Sequence, residues 1–181
     1  NIDFDKNYAT VANMQPVANV KGTEFAKGEV DLITQVSEFF ESIGGEVEHP
    51  ELGTIKLDRK AVKNDIAHGI GRKKAAAFAA VPDVIRNGKI LDVQYNWKAR
   101  GYDTVVVAAP IEFSGQEAIE GVILRKTNKD DSFYLHEVYL EGVSTFKTGA
   151  NKIGNPSADT PSLISILQKV SDYKEKSPDN V

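Results

Sequence analysis

The sequence predicts an α+β fold in which N-terminal helices pack on an antiparallel sheet of four or more strands. Between residues 29 and 87 apolar residues recur at three- and four-residue intervals, whereas beyond Gly88 the repeat shortens to two. Short polar turns separate the runs of the second part, and such connections favour antiparallel neighbours in a meander. With 181 residues the chain is long enough for one ordinary core and too short for two large ones.

Residues 1–28 hold short apolar groups among Pro16, Gly22 and Gly28 without a sustained period, and read as an extended arm or short strands. Val30, Ile33, Val36, Phe39, Phe40 and Ile43 then mark a helix that Gly44 and Gly45 stop. Residues 46–49 and 53–57, on either side of Pro50, read as two short strands leading to Asp58, a helix N-cap. Ala61, Val62 and Ile66 line one face of the next helix, Lys60 and Lys63 the other, and Gly69 and Gly71 interrupt it. Residues 72–80, rich in Ala and Lys, continue as helix, and Pro82 opens a further turn closed by Asn87 and Gly88. Four strands follow at 89–95, 104–113, 118–126 and 132–140. The nearly unbroken apolar stretch 104–111 marks a central strand covered by helices. Residues 142–161 read as loop and 162–170 as a short amphipathic helix before a charged tail. The expected organisation is an arm (1–28), one α+β domain (29–150), and a loop with a short helix and tail (151–181).

Composition removes several function classes. No apolar run approaches the length of a bilayer span, so no membrane partner is expected. The chain has no cysteine, which excludes disulfides, thiolate zinc sites and a Cys nucleophile. The three histidines, His49, His68 and His136, stand in unlike contexts, so neither a metal site nor any other cofactor is expected. The chain opens on Asn1 with no secretory leader, as an excised piece of a longer polypeptide would. Absence of cysteine fits the cytoplasm, whether of the producing cell or of a host that receives the protein. No Gly-x-Ser-x-Gly or His-Glu-x-x-His occurs, and Gly69-Ile70-Gly71 lacks the third glycine and the preceding strand of a dinucleotide loop.

Charge is unevenly spread. From Lys56 to Arg100 there are 11 basic residues against four acidic ones, a segment of +7 in a chain of −4. Two readings stand side by side: a phosphate-binding face, or the solvated outer faces of two helices. Arg72, Lys73 and Lys74 sit in the middle of it, directly after His68-Gly69-Ile70-Gly71. A histidine at a helix end beside three cations suits proton donation to a leaving oxygen near a phosphate; it equally suits a C-terminal cap. Trp97, Lys98 and Arg100, between Tyr95 and Tyr102, form an aromatic and basic loop fit to stack bases and meet phosphates, or else an ordinary solvated hairpin. In the last strand, simple alternation puts Tyr134, His136 and Val138 on one face and Leu135, Glu137 and Tyr139 on the other. Thr145, Lys147 and Thr148 follow that strand and would complete a site at its end. Two histidines, hydroxyls and cations are the types that metal-free RNA cleavage requires.

Four strings carry a resemblance: Val-Lys-Gly-Thr-Glu-Phe at 20–25, Gly-Thr-Ile-Lys-Leu-Asp-Arg-Lys at 53–60, the run from His68 through Gly71, Pro82 and Gly88 to Ile90, and Phe-Tyr-Leu-His-Glu-Val at 133–138. Together they resemble the large polyvalent protein-associated domains of phages and mobile elements and the related phage nucleases of the Barnase, EndoU, colicin and RelE superfold. The resemblance spans about residues 20–148. It implies that superfold's helices on an antiparallel sheet and a metal-independent endoribonuclease. The matching positions are His68 on the helix and His136 with Glu137 on the strand, supported by Lys147 and Thr148, while Arg72, Lys73, Lys74, Trp97, Lys98 and Arg100 would hold substrate. The expected partner is RNA, transfer RNA included, with a cognate inhibitor protein if the domain is a toxin. The rival expectation is a non-enzymatic module that docks nucleic acid or protein.

Overall fold

A computed structural model describes residues 1–66, 71–95, 101–127, 132–142, 152–153 and 160–175. Its first element departs from the sequence expectation. Where an extended arm was expected, Phe4–Asn13 is a helix (α1), and the Asp3 side chain caps it by accepting the Lys6 backbone N–H at 3.0 Å. Tyr8, Val11 and Ala12 are its buried residues. Three residues are too short a stripe to announce a helix by periodicity, and the burial that stabilises it comes from elements distant in sequence. A two-residue strand, β1 (Asn19–Val20), follows.

The middle of the chain matches its pattern closely. Asp31 caps α2 (Leu32–Ser42), which buries Val36 and Phe40. β2 (Glu46–His49) and β3 (Gly53–Lys56) form an antiparallel hairpin. The Asp58 carboxylate accepts the Lys60 N–H at the start of α3 (Arg59–Ile66), as a cap should. α4 (Arg72–Ala75), a 3-10 turn over Ala76–Ala80, and α5 (Val81–Asn87) succeed it. The α5 to β4 junction needs Gly88: a Cβ there would lie 2.3 Å from the Val84 carbonyl oxygen and 2.7 Å from that of Ala108.

β4 (Lys89–Gln94), β5 (Tyr102–Phe113), β6 (Gln116–Thr127) and β7 (Phe133–Glu141) form the expected antiparallel meander. Ser114 and Gly115, both at positive φ, make the two-residue turn that closes β5 onto β6. The sheet as a whole is larger and mixed: β1 runs parallel to β5, β3 runs parallel to β7, and β8 (Lys152–Ile153) pairs with β7. Among the described residues it has eight strands, in the order β1-β5-β6-β7-β3-β2, with β4 also on β5. The two parallel pairs went unforeseen because the strands involved are far apart in sequence, so no turn chemistry announces them.

Both faces of the sheet are covered. On one, α2, α3, the 3-10 turn and α5 pack over Val105, Val107, Ala109 and Ile111. On the other, α1 and the last helix, α6 (Thr160–Glu175), pack over Val106, Ala108, Ile119, Ile123 and Tyr139. Two-sided cover explains why β5 is buried without interruption from Thr104 to Ile111. α6 runs well beyond the short helix expected at 162–170, and its Tyr173 stacks on Tyr8 at 5.5 Å and donates to Asp5 at 2.9 Å. Among the described residues no helix is long and apolar enough to cross a membrane.

Candidate catalytic cleft

The chemistry gathers where β7 departs from regular pairing. Ile123 of β6 faces Glu137, but the next residue, Leu124, faces Leu135, so His136 is one residue too many for the ladder. The alternation expected for this strand is therefore broken: Leu135 and Val138 both enter the core under α3 and α5, while Tyr139 enters the core under α1 and α6. A bulge turns a side chain away from the pleat, and here it leaves the His136 side chain 20% exposed beside a Glu137 side chain that is only 3% exposed. Glu137 Oε1 lies 3.6 Å from His136 Nε2.

The outer edge of β7 explains the space in front of this pair. β3 pairs with β7 at Phe133 and Tyr134, and β8 pairs with it at Val138 and Tyr139, so the bulge falls between the two neighbours. Immediately after β3 the chain turns into α3, whose first turns pass beside this stretch. Between them lies a cleft of about 270 Å³, lined by Asp58, Lys60, Ala61 and Asn64 from the α3 side and by Arg125, Tyr134, Leu135 and His136 from the sheet. The cleft thus joins an imidazole, a guanidinium, an ammonium and a phenol.

Cation–ring pairs border it. The Arg125 guanidinium stands 4.3 Å over the Tyr102 ring, and Lys56 Nζ stands 5.4 Å over the Tyr134 ring. On the same face, the row behind Arg125 carries Asp92 at one end and Glu137 at the other, with Val106 and Ile123 between. Burial pushes the Asp92 carboxyl up, and hydrogen bonds from Gln94 and the Val93 backbone oppose it.

Of the other sequence-predicted residues, Arg72, Lys73 and Lys74 fall elsewhere. Arg72 donates to the Phe25 carbonyl at 2.8 Å and to the Gln35 side chain, tying α4 to the loop before α2. Lys73 lies along Gly22, where an added Cβ would come within 3.2 Å of its Cγ. Lys74 occupies the next position of the same short helix. His68, Trp97, Lys98, Arg100, Lys147 and Thr148, with Thr145, lie outside the described residues. His49 serves the β2–β3 turn: its Nδ1 accepts the Glu51 and Leu52 N–H groups at 3.0 and 3.2 Å, and burial lowers its pKa. Lys60, Asn64, Arg125 and Tyr134 are the cleft residues that sequence reasoning did not single out. Arg125 had a signal, since it directly follows the apolar run Val122-Ile123-Leu124 in β6, but nothing local connects it to α3. Among the described residues no group of three or more metal-ligating side chains is present.

The protein-family comparison matches residues 27–134 to large polyvalent protein-associated domain 3. No curated protein and no solved structure matches the chain. The family match takes in α2, the hairpin, α3 and the meander as far as Tyr134, and ends just before Leu135, His136 and Glu137.

Proposed function

The chain belongs to the family of large polyvalent protein-associated domain 3, and from that premise we propose that it is a metal-independent, endoribonuclease-like effector domain of a phage or mobile-element polyvalent protein. The observation that carries this reading is the His136 imidazole, set by a bulge at a cleft that it shares with Lys60 and Arg125. In the proposed reaction a base takes the proton of a ribose 2′-hydroxyl, and the 2′-oxygen forms a bond to phosphorus. The bond from phosphorus to the 5′-oxygen then breaks as an acid protonates that oxygen. The products are a 2′,3′-cyclic phosphate and a free 5′-hydroxyl, and no water is consumed.

His136 takes one of the two proton-transfer roles and His68, by the sequence argument, the other. Glu137 beside the imidazole orients it. Arg125 and Lys60 offset the negative charge that accumulates on the phosphorane. RNA, with transfer RNA as a candidate, is the proposed substrate, and a cognate inhibitor protein would accompany a toxin role.

Incubation with transfer RNA and total RNA in chelator tests this directly. Cleavage leaving cyclic phosphate ends is expected, reduced by about 100-fold or more in His136→Ala. Absence of cleavage in the parent across pH and salt, or equal cleavage by His136→Ala, would overturn it. Salt-sensitive RNA binding without turnover would instead favour the non-enzymatic docking module.

A further inference from the structure

The registers define a feature that crosses the sheet at right angles to its strands. Lys56 of β3 faces Tyr134 of β7, Tyr134 faces Arg125 of β6, Arg125 faces Thr104 of β5, and Thr104 faces Gln94 of β4. These five residues form one file across five adjacent strands, about 19 Å long at ordinary strand spacing. The file lies on the α1 and α6 side, because Thr104 and Arg125 stand two residues from Val106 and Ile123, which enter that core. Those two residues are apolar and sealed in the core; in the file, Thr104 is buried as well, whereas Lys56, Tyr134 and Arg125 are half-buried and Gln94 is exposed, so two cations, a ring and an amide reach the surface. At its β7 end it enters the cleft, since Arg125 and Tyr134 line both.

We infer that this file is a binding track for a single-stranded segment of RNA, an inference that rests on the reading of the cleft as an RNA-cleaving site. Each nucleotide presents a flat base and an anionic phosphate. Two rings at this end of the sheet, Tyr102 and Tyr134, each hold a cation against one face, so stacking surface and positive charge coincide. A guanidinium held over a ring still carries several N–H donors in its own plane, the kind of group that meets phosphate oxygens. Paired bases hide their faces inside the duplex, so the rings select an unpaired strand. The track then delivers that strand to His136.

The test is fluorescence anisotropy of the whole 181-residue protein with a 12-nucleotide RNA carrying 2′-O-methyl groups, which cannot undergo internal attack, beside the same strand annealed to its complement. Binding of the single strand at least tenfold tighter than the duplex is expected. A loss of about tenfold is expected in each of Tyr134→Ala and Arg125→Ala, with Tyr134→Phe close to the parent. Lys56→Ala and Gln94→Ala, at the two ends of the file, test the same track without entering the cleft, and each should weaken binding severalfold. Equal affinity for strand and duplex, or unchanged affinity in Lys56→Ala and Gln94→Ala, would overturn the track. Cleavage of native RNA run in parallel separates the two readings: selective binding without cleavage sinks the catalytic reading and keeps the track, while cleavage with unselective binding does the reverse.

Discussion

Glu120 is the residue whose environment conflicts most with its chemistry. It sits in β6 between Ala109 and Leu140, fully buried on the side covered by α5, and both carboxylate oxygens lack hydrogen-bond partners among the described residues. Burial, reinforced by the Asp83 charge, holds its pKa well above the ordinary carboxyl value of 4.5. The folded protein therefore keeps a proton that the unfolded chain releases. The contribution of Glu120 to stability is fully present below about pH 4.5 and is lost as pH rises through the folded-state value. Glu120→Gln should remove that decline and stabilise the protein at pH 8 by at least about 1 kcal/mol, measured by urea unfolding at pH 5 and pH 8. A variant as pH-sensitive as the parent would refute the assignment. The same scale shows what the sequence reveals about the cleft. His136 and Glu137 announce themselves by type and adjacency, but Arg125 and Lys60 acquire meaning only when β6 and α3 meet at the bulge.

At the scale of elements, patterns that depend on neighbours in sequence are legible and patterns that depend on distant partners are not. α2 shows its stripe, Asp58 shows its cap, and Ser114-Gly115 shows its turn, because each is settled within a few residues. The bulge in β7 is invisible to alternation, since a period of two contains nothing that tells which strand will gain a residue. α1 forms the other case, and α6 does so beyond the stretch 162–170 that the sequence shows. Each has a weak stripe, and their stability comes from covering Val106, Ala108 and Tyr139 together. Leu167, fully buried in that cluster, should therefore matter as much as a residue of the central sheet. Leu167→Ala is expected to cost roughly 2–5 kcal/mol in chemical denaturation. A cost under about 0.5 kcal/mol would mean that α6 is dispensable to the core.

Across the whole molecule, the two faces of the sheet divide the labour. The side covered by α2, α3 and α5 is apolar in β5 from Val105 to Phe113, whereas on the side covered by α1 and α6 the apolar Val106 and Ala108 give way to Thr104 and Tyr102 toward the start of the strand. The fold class was legible because it follows from the order of periodicities, helical first and alternating afterwards. The mixed pairing was not, since two-residue β1 and four-residue β3 carry too little pattern to fix a direction. Nor does a net charge of −4 reveal the file of cationic and aromatic groups, because registers rather than sums bring Lys56 and Arg125 onto one line.

The hydrogen bond from Tyr173 to Asp5 closes a loop in space that the backbone leaves open. The start of α1 and the end of α6 lie side by side, on the side of the sheet away from α2 and α5. A brief flexible linker can therefore join these two helix ends while the chain is reopened elsewhere at little cost, the Ser114-Gly115 turn being the natural place to cut. Such a permuted chain should keep the circular dichroism spectrum and unfolding midpoint of the parent to within a few degrees. By the same geometry, the unit can be spliced into a surface loop of a host protein without prising the host's own flanks apart.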